Sequence, residues 1–368
     1  MGNKRVLNWG WYGFENYGDD LLQQTMILKL REENIDLVFP MQSKYHYEEA
    51  TEINRSYKEL FYQVKLYDVL IVGPGGLFPF SNVQKLVIFY LAVLYWKYRH
   101  KKVIFFGIGI SERIDGLSKR LWRRIIRYSD LFFTRDEGFL DAIGVTENGK
   151  VQTMADVAFA SGIIESCKDK SEVGMRVAIA VANLCKDGDK DTYSRSIKTW
   201  QAVCKKLLGD GYKVDLIAFT KGKDDMLIND IASSIRTLKC IGEVQQIQYK
   251  EVSNAVARWN EYEQVICMRF HSLVLSILAN VPALPVAYGH KTASLAKTCG
   301  LADYLLYWNS AEESYFGKII DTDAQSIIDK FSAIEMNRDT ILEHMSQARK
   351  KLTYSAEEAI NALIHTIR

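Results

Sequence analysis

Residues 267–291 read CMRFHSLVLSILANVPALPVAYGHK. A strand-like apolar run, Gln264–Met268, stops at Arg269. An apolar helical stretch, Ser272–Ala279, follows, then Pro282 and a second strand-like run, Ala283–Ala287. Strand, turn, helix, strand is a βαβ unit, and ligands of such units gather beyond the carboxyl end of the strand. Arg269 and His271 stand at that end. A guanidinium there holds an anion, and an imidazole, with an ordinary pKa near 6.5, moves a proton. If the backbone stays extended, residues two apart send their side chains to the same side. The plain structural alternative gives Arg269 a salt bridge and makes His271 a helix cap.

Outward from this unit the same alternation fills the chain. In the first half, strand-like runs fall at Val6–Trp9, Asp36–Phe39, Val69–Val72, Val103–Ile108 and Leu131–Thr134. Helical patterns lie between them at Asp20–Glu33, Tyr57–Leu66, Val83–Tyr98 and Leu117–Tyr128. In the second half the strands are Val177–Ala182, Lys213–Phe219, Leu238–Ile241, Gln264–Met268 and Ala283–Ala287. Helices are expected near Ser194–Leu208, Asp225–Ile235, Val252–Trp259, Ser272–Ala279 and Thr292–Cys299. Strands alternating with helices predict parallel sheets. The fold class expected is α/β, with two doubly wound Rossmann-like domains facing a cleft, the GT-B-like shape. The expected domains are residues 1–165, residues 175–330 carrying the RxH motif, and a helical segment, 331–368, packing back on the first domain. The boundary is placed in the polar stretch Glu165–Met175.

Composition narrows the function. The 368 residues carry a formal net charge of +2, so no global basic field points to nucleic acid. The six cysteines are scattered without CxxC spacing, as reduced thiols of a cytoplasmic protein would be, and a zinc site is not expected. No signal peptide is visible, and Val6 stands where a myristoylation signal carries Ser or Thr. The longest apolar run, Leu86–Trp96, is shorter than the roughly 20 residues that cross a bilayer and reads as a buried helix.

Other strand ends carry candidate residues. The first runs into Gly10-Trp-Tyr-Gly-Phe-Glu-Asn-Tyr-Gly-Asp-Asp20. Asp19 or Asp20 opens the next helix as a cap would, and two carboxylates at a helix start discourage an anion. Asn16, Gly18 and Asp19 therefore suit a neutral hydroxylated ligand or orient a catalytic group; a structural loop with a helix cap is the alternative. The third strand ends in Gly73-Pro-Gly-Gly-Leu-Phe78 and the fourth in Gly107-Ile-Gly-Ile110. Their glycines, Gly75 and Gly76 among them, bring backbone N–H groups close to a ligand. The fifth ends in Thr134-Arg135-Asp136, where Arg135 forks a phosphate or carboxylate or forms a local ion pair. Asp156, in Ala155–Phe159, reads as a structural residue that caps the next helix or holds domain geometry. On Leu117–Tyr128, Lys119, Arg120, Arg123, Arg124 and Arg127 share one arc, a face for anionic lipid or a pyrophosphate carrier, or simply a solvated face.

Together these segments resemble the polysaccharide pyruvyl transferase family. The carrying motifs are Asn16-Tyr-Gly-Asp19, GPGGLF, Phe133-Thr-Arg-Asp136, Ala155–Phe159, Arg269-Phe-His271, Asn280-Val-Pro282 and Tyr288-Gly-His-Lys291, in order over residues 6–300. Three positions depart from the family pattern. Pro74 interrupts the glycine triplet, Phe80-Ser81-Asn82 stands where an acid is common, and Val157 where proline is.

The resemblance implies transfer of the enolpyruvyl carbons of phosphoenolpyruvate to two sugar hydroxyls, giving a pyruvate ketal and phosphate, in exopolysaccharide or cell-surface glycan synthesis. Arg269, Arg135 and Lys291 would meet the trianion. His271 would protonate the methylene carbon, and His271 or Asp19 would take a hydroxyl proton. No cofactor beyond this co-substrate is expected. The acceptor would be a saccharide, often lipid-linked in the family, which implies a cytoplasmic protein with peripheral contact at the inner membrane face. A GT-B glycosyltransferase using a nucleotide sugar and a non-catalytic glycan-binding protein are the alternatives.

Overall fold

The computed structural model describes residues 4–41, 51–54, 56–76, 83–109, 114, 116–135, 137–162, 175–185, 190–233, 235, 239–241, 259–308 and 322–368. The chain divides into two compact units, Met1–Gly162 with Leu352–Arg368, and Ile163–Lys351. Most of the expected boundary, 165–174, lies outside the described residues, as do 252–258 of the expected helix ending at Trp259.

The first unit is built on seven strands: β1 Val6–Trp9, β2 Leu37–Met41, β3 Thr51–Asn54, β4 Val69–Val72, β5 Lys102–Ile108, β6 Leu131–Thr134 and β7 Val151–Thr153. Every pairing is parallel, in the order β3-β2-β1-β4-β5-β6-β7. Strands VLNW and VLIV are buried at every residue, because a central parallel strand is covered on both faces. Helices α1 Tyr17–Arg31, α2 Glu59–Tyr62, α3 Val83–Tyr98, α4 Gly116–Tyr128 and α5 Glu137–Ile143 connect them. Trp9, Trp96, Trp122, Phe105 and Phe132 fill the core under α3 and α4. The Trp96 indole N–H donates to the Leu60 carbonyl at 2.6 Å, so its one polar atom is satisfied inside.

The second unit has six parallel strands: β8 Arg176–Ala180, β9 Lys213–Ile217, β10 Lys239–Ile241, β11 Gln264–Cys267, β12 Ala283–Ala287 and β13 Leu306–Tyr307. Their order is β10-β9-β8-β11-β12-β13. Its helices are α6 Lys190–Gly209, α7 Asp224–Ser233, α8 Phe270–Ala279, α9 His290–Thr298 and α10 Ala324–Met336. The last helix, α11 Arg338–Ile367, belongs to this unit up to Lys351 and to the first from Leu352. Within the first unit its end is held by Ser355, whose Oγ accepts from the Ala155 N–H at 3.1 Å, and by Thr366, whose carbonyl accepts from Lys102 at 2.7 Å.

Both sheets are doubly wound Rossmann-like sheets. The strand order reverses between β1 and β4 in one unit and between β8 and β11 in the other. Ligands of open α/β sheets bind beyond the carboxyl ends of the two strands at such a reversal.

Three expectations are corrected. Helix α1 starts at Tyr17 and not at Asp20, because Asn16 is its cap. Tyr57–Leu66 is a single helical turn followed by a 3-10 turn, Gln63–Lys65. The run Leu86–Trp96 is buried on one face only: Leu86, Phe89, Ala92, Val93 and Trp96 pack inward, whereas Val87, Ile88 and Leu91 are exposed. A helix lying on a sheet can cover only one of its own faces, whatever the other is made of.

Candidate functional site

The reversal in the first unit is stitched shut from within. The Asn8 amide donates to the Gly73 carbonyl at 2.5 Å, and the Tyr12 hydroxyl donates to the same oxygen at 3.1 Å. The Tyr12 ring lies so close over Gly10 that a Cβ there would stand 2.0 Å from it. The glycine-rich turn therefore admits a tyrosine and not a ligand at Gly10. Beyond β4, Gly75 continues the ladder to β5. It donates to Gly107 at 3.1 Å and accepts from Gly109 at 3.0 Å. Gly75 has φ +115°, and an Asp19 Oδ1 atom lies 3.3 Å from where its Cβ would be.

Asn16 accepts from the Gly18 N–H at 3.1 Å and so caps α1, with Asp19 and Asp20 in the first turn. That helix start is already supplied with negative charge. Next to it, Trp11 is 38% exposed and stacks on Phe14, with ring centroids 4.1 Å apart and planes at 13°. Arg135 pairs with Asp156, and the two side chains are 4% and 3% exposed. The guanidinium lies across Gly109, where a Cβ would meet Nε at 2.5 Å, and reaches toward Gly76. Arg135 thus has an ion-pair partner in Asp156; Asp136, the neighbour expected to pair with it, lies outside the described residues, as do residues 77–82 of the neighbouring loop. Asp156 also accepts from the Ala158 N–H at 3.0 Å, capping the short turn Val157–Ala160.

The reversal in the second unit is differently charged. Arg269 is the N-cap residue of α8 with extended backbone, and Phe270 begins the helix. His271 therefore sits in the first helical turn. The same-side expectation from strand geometry does not apply, because the extended run ends one residue too early. Asp224, fully buried, organises the surroundings. One carboxylate oxygen accepts from the Asn183 N–H at 3.0 Å and from Arg269 Nη2. The other accepts from Phe219 N at 3.1 Å, Thr220 N at 3.0 Å and Arg269 Nε at 2.9 Å. One side chain thus ties the ends of β8, β9 and β11 together and clamps one edge of the guanidinium through two nitrogens.

The third nitrogen of Arg269, Nη1, is left toward the Tyr288 hydroxyl, 3.5 Å away. Burial opposes the charge, yet Tyr288 and Asp224 outweigh it and push the Arg269 pKa up. Lys291, one residue into α9, lies with its ammonium 5.6 Å from the centre of the Phe270 ring, a cation–π contact. His271 is half-buried and meets the Phe270 ring edge-on, whereas His290 is exposed. Neither α8 nor α9 has an acidic residue in its first turn or a side-chain cap bond. Two neighbouring helix starts and Lys291 thus contribute positive potential beyond β11 and β12, where Asp224 balances the Arg269 charge, as the salt-bridge alternative for Arg269 anticipates. Cys267, at the end of β11, is fully buried, and burial pushes its thiol up to about 12, so it packs and is not a nucleophile.

The sequence reading set Arg269, Arg135 and Lys291 around one anion; the structure places Arg269, His271 and Lys291 beyond β11 and β12 of the second unit, and Asn16, Gly18, Asp19, Gly75, Gly76 and Arg135 in the first unit. The sequence reading missed Asp224, Asn183 and the Trp11–Phe14 stack. The sequence carried one trace of the first: Asp224 begins a helix after an apolar strand, the position of a carboxylate aimed at strand ends.

The polysaccharide pyruvyl transferase family model matches residues 16–290. A search of curated proteins returned no match. Solved structures share the fold at low identity. MnaA of S. aureus with UDP aligns at a TM-score of 0.61 and 10% identity, covering 98% of this chain and 96% of that one. UDP-GlcNAc 2-epimerase from Neisseria meningitidis, bound to UDP-GlcNAc, aligns at 0.60 and 12%, covering 98% and 100%. A glycosyltransferase from Rickettsia africae aligns at 0.55 and 11%, covering 99% and 97%.

Proposed function

Since the chain belongs to the polysaccharide pyruvyl transferase family, we propose that it moves the enolpyruvyl carbons of phosphoenolpyruvate onto two hydroxyls of a saccharide. The products are a cyclic pyruvate ketal and phosphate. The observation that carries this reading is the set of groups beyond the adjacent strands β11 and β12, at helix starts free of acidic side chains: Arg269 faces the Tyr288 hydroxyl, and His271 and Lys291 both meet the Phe270 ring. A small trianion needs that density of positive potential, and the first unit's reversal, with Asp19 and Asp20 at its helix start, offers the opposite.

In this account Arg269, pre-oriented by Asp224, and Lys291 hold the phosphate and carboxylate of the donor. His271 delivers a proton to the methylene carbon, which becomes a methyl group and leaves C2 electrophilic. The first sugar hydroxyl adds to C2 and gives its proton to the now neutral His271, and the second hydroxyl later gives its own to the departing phosphate. The second hydroxyl displaces phosphate, whose charge the two cations stabilise. Arg135 has a positioning role: its pair with Asp156 props the loop carrying Gly75 and Gly76. Saccharide binding is assigned to Trp11, which offers an aromatic face, and to Asp19, a hydroxyl acceptor.

Thermal shift tests the donor assignment. A ligand at a hundredfold excess over its dissociation constant stabilises the native state by about 2.7 kcal/mol. Phosphoenolpyruvate is expected to raise the melting point, and Lys291→Ala to weaken the response. The similar epimerase and MnaA structures hold UDP-GlcNAc and UDP, which makes nucleotide-sugar transfer the competing reading. A rise with UDP-sugar and none with phosphoenolpyruvate would favour that reading and overturn ours.

A further inference from the structure

We infer that the outer face of α3 and α4 docks on an anionic lipid surface. Both helices are crossovers between neighbouring strands, β4 to β5 and β5 to β6, and they pack side by side on one face of the sheet. On α3, Val87, Ile88, Leu91 and Tyr98 are exposed, at the spacing of a single helical stripe. On α4, Arg120, Arg124 and Arg127 are exposed. The Tyr90 and Tyr128 rings, 6.3 Å apart, join the two helices.

The charge is one-sided. Residues 83–98 and 116–128 contain seven Lys and Arg and no Asp or Glu, whereas the remainder of the chain has 40 basic against 45 acidic residues. Asp130, just beyond α4, is taken up by Lys97 at 2.8 Å and by the Val103 N–H at 2.7 Å. Arg123 is tethered to the Ile143 carbonyl and contributes less freely. An apolar stripe beside a cationic row, with tyrosines between, matches a bilayer interface: acyl chains meet the first, anionic headgroups the second, and aromatic rings sit at their junction. A second copy of the chain is a poorer occupant. A twofold contact apposes the same patch on both protomers and would bring two sets of arginines together.

The test is co-sedimentation of the full chain with phosphatidylcholine vesicles, with and without phosphatidylglycerol. Binding is expected only with the anionic lipid. It should be largely lost at about 1 M salt, where the screening length falls to about 3 Å. Removing three surface cations, as in Arg120→Gln/Arg124→Gln/Arg127→Gln, should lower the partition coefficient on the order of a hundredfold, at about fivefold each. Ile88→Ser/Leu91→Ser should also weaken binding. All five positions are exposed, and unchanged circular-dichroism melting would show that the fold persists. Equal partition into both vesicles, no partition into either, or indifference to the arginine changes would overturn the inference. So would a concentration-dependent dimer that Leu91→Ser dissolves. Phosphate release from phosphoenolpyruvate with a water-soluble acceptor should not change in these variants, so failure here leaves the pyruvyl-transfer reading standing.

Discussion

Replacing Asp224 by Asn removes one charge and keeps the shape. Five donors converge on this carboxylate: three backbone N–H groups and the Nε and Nη2 nitrogens of Arg269. An amide offers a single acceptor oxygen and turns an NH2 toward the others, so donors face donors. It also leaves the Arg269 charge, 18% exposed, without its counter-ion. Two unit charges about 4 Å apart at an effective dielectric near 20 interact by about 4 kcal/mol. Breaking a buried pair from one side costs about 3–5 kcal/mol. In a unit of this size each kcal/mol moves the melting point by about 2–4 °C, so the expected fall is roughly 6–20 °C. The melting response to phosphoenolpyruvate should shrink as well, since the guanidinium loses its orientation. Adding Arg269→Met to Asp224→Asn should recover part of the stability, because the uncompensated charge goes, and none of the donor response. Scanning calorimetry of the parent, both single variants and the double variant measures all of this. An Asp224→Asn protein that melts with the parent and still responds fully to phosphoenolpyruvate would refute the reasoning.

His271→Gln should lower the rate of phosphate release by about 10²–10⁴-fold with the fold kept, and His290→Gln should do much less. If the order is reversed in steady-state assays, the proton donor is the exposed histidine and the RxH motif binds the anion only. Trp11→Ala should raise KM for the saccharide and leave the phosphoenolpyruvate melting response intact; loss of the donor response instead would remove the acceptor assignment. A pH effect is expected at Asp68. Burial alone would raise its pKa, but hydrogen bonds and charge from Lys101 and the Arg5 N–H outweigh it and hold the carboxyl below its ordinary value. A depressed native pKa contributes stability above the unfolded value, near 3.9, that fades as pH falls through the native one. The melting difference between parent and Asp68→Asn should therefore be present at pH 7 and shrink toward pH 3, and a difference that grows on acidification would contradict it.

Much of the fold was legible because parallel central strands are buried on both faces and leave continuous apolar runs. Val69–Val72 and Ala283–Ala287 were readable to the residue. Thr51–Asn54 and Leu306–Tyr307 were not, since an edge strand with polar residues and a two-residue strand carry no periodic signal. The positions of Arg269 and His271 could be read, because a strand end is a local feature. Their surroundings could not. Asp224 lies 45 residues before Arg269, and only the strand order brings the two together. Asp156 stands 21 residues beyond Arg135 for the same reason. At the start of α1, Asn16, Asp19 and Asp20 are all plausible caps, and backbone geometry alone chooses Asn16. On α3 the residues are apolar almost all round, so no pattern said which face would be left bare.

The most direct test of the central claim is the reaction itself. The protein is incubated with phosphoenolpyruvate and a panel of galactosides, glucosides and mannosides, and products are read by mass spectrometry beside released phosphate. A saccharide heavier by one pyruvic acid less one water is expected, formed in step with phosphate and lost in His271→Gln. A saccharide extended by a sugar unit from a nucleotide-sugar donor, with phosphoenolpyruvate left unconsumed, would contradict it.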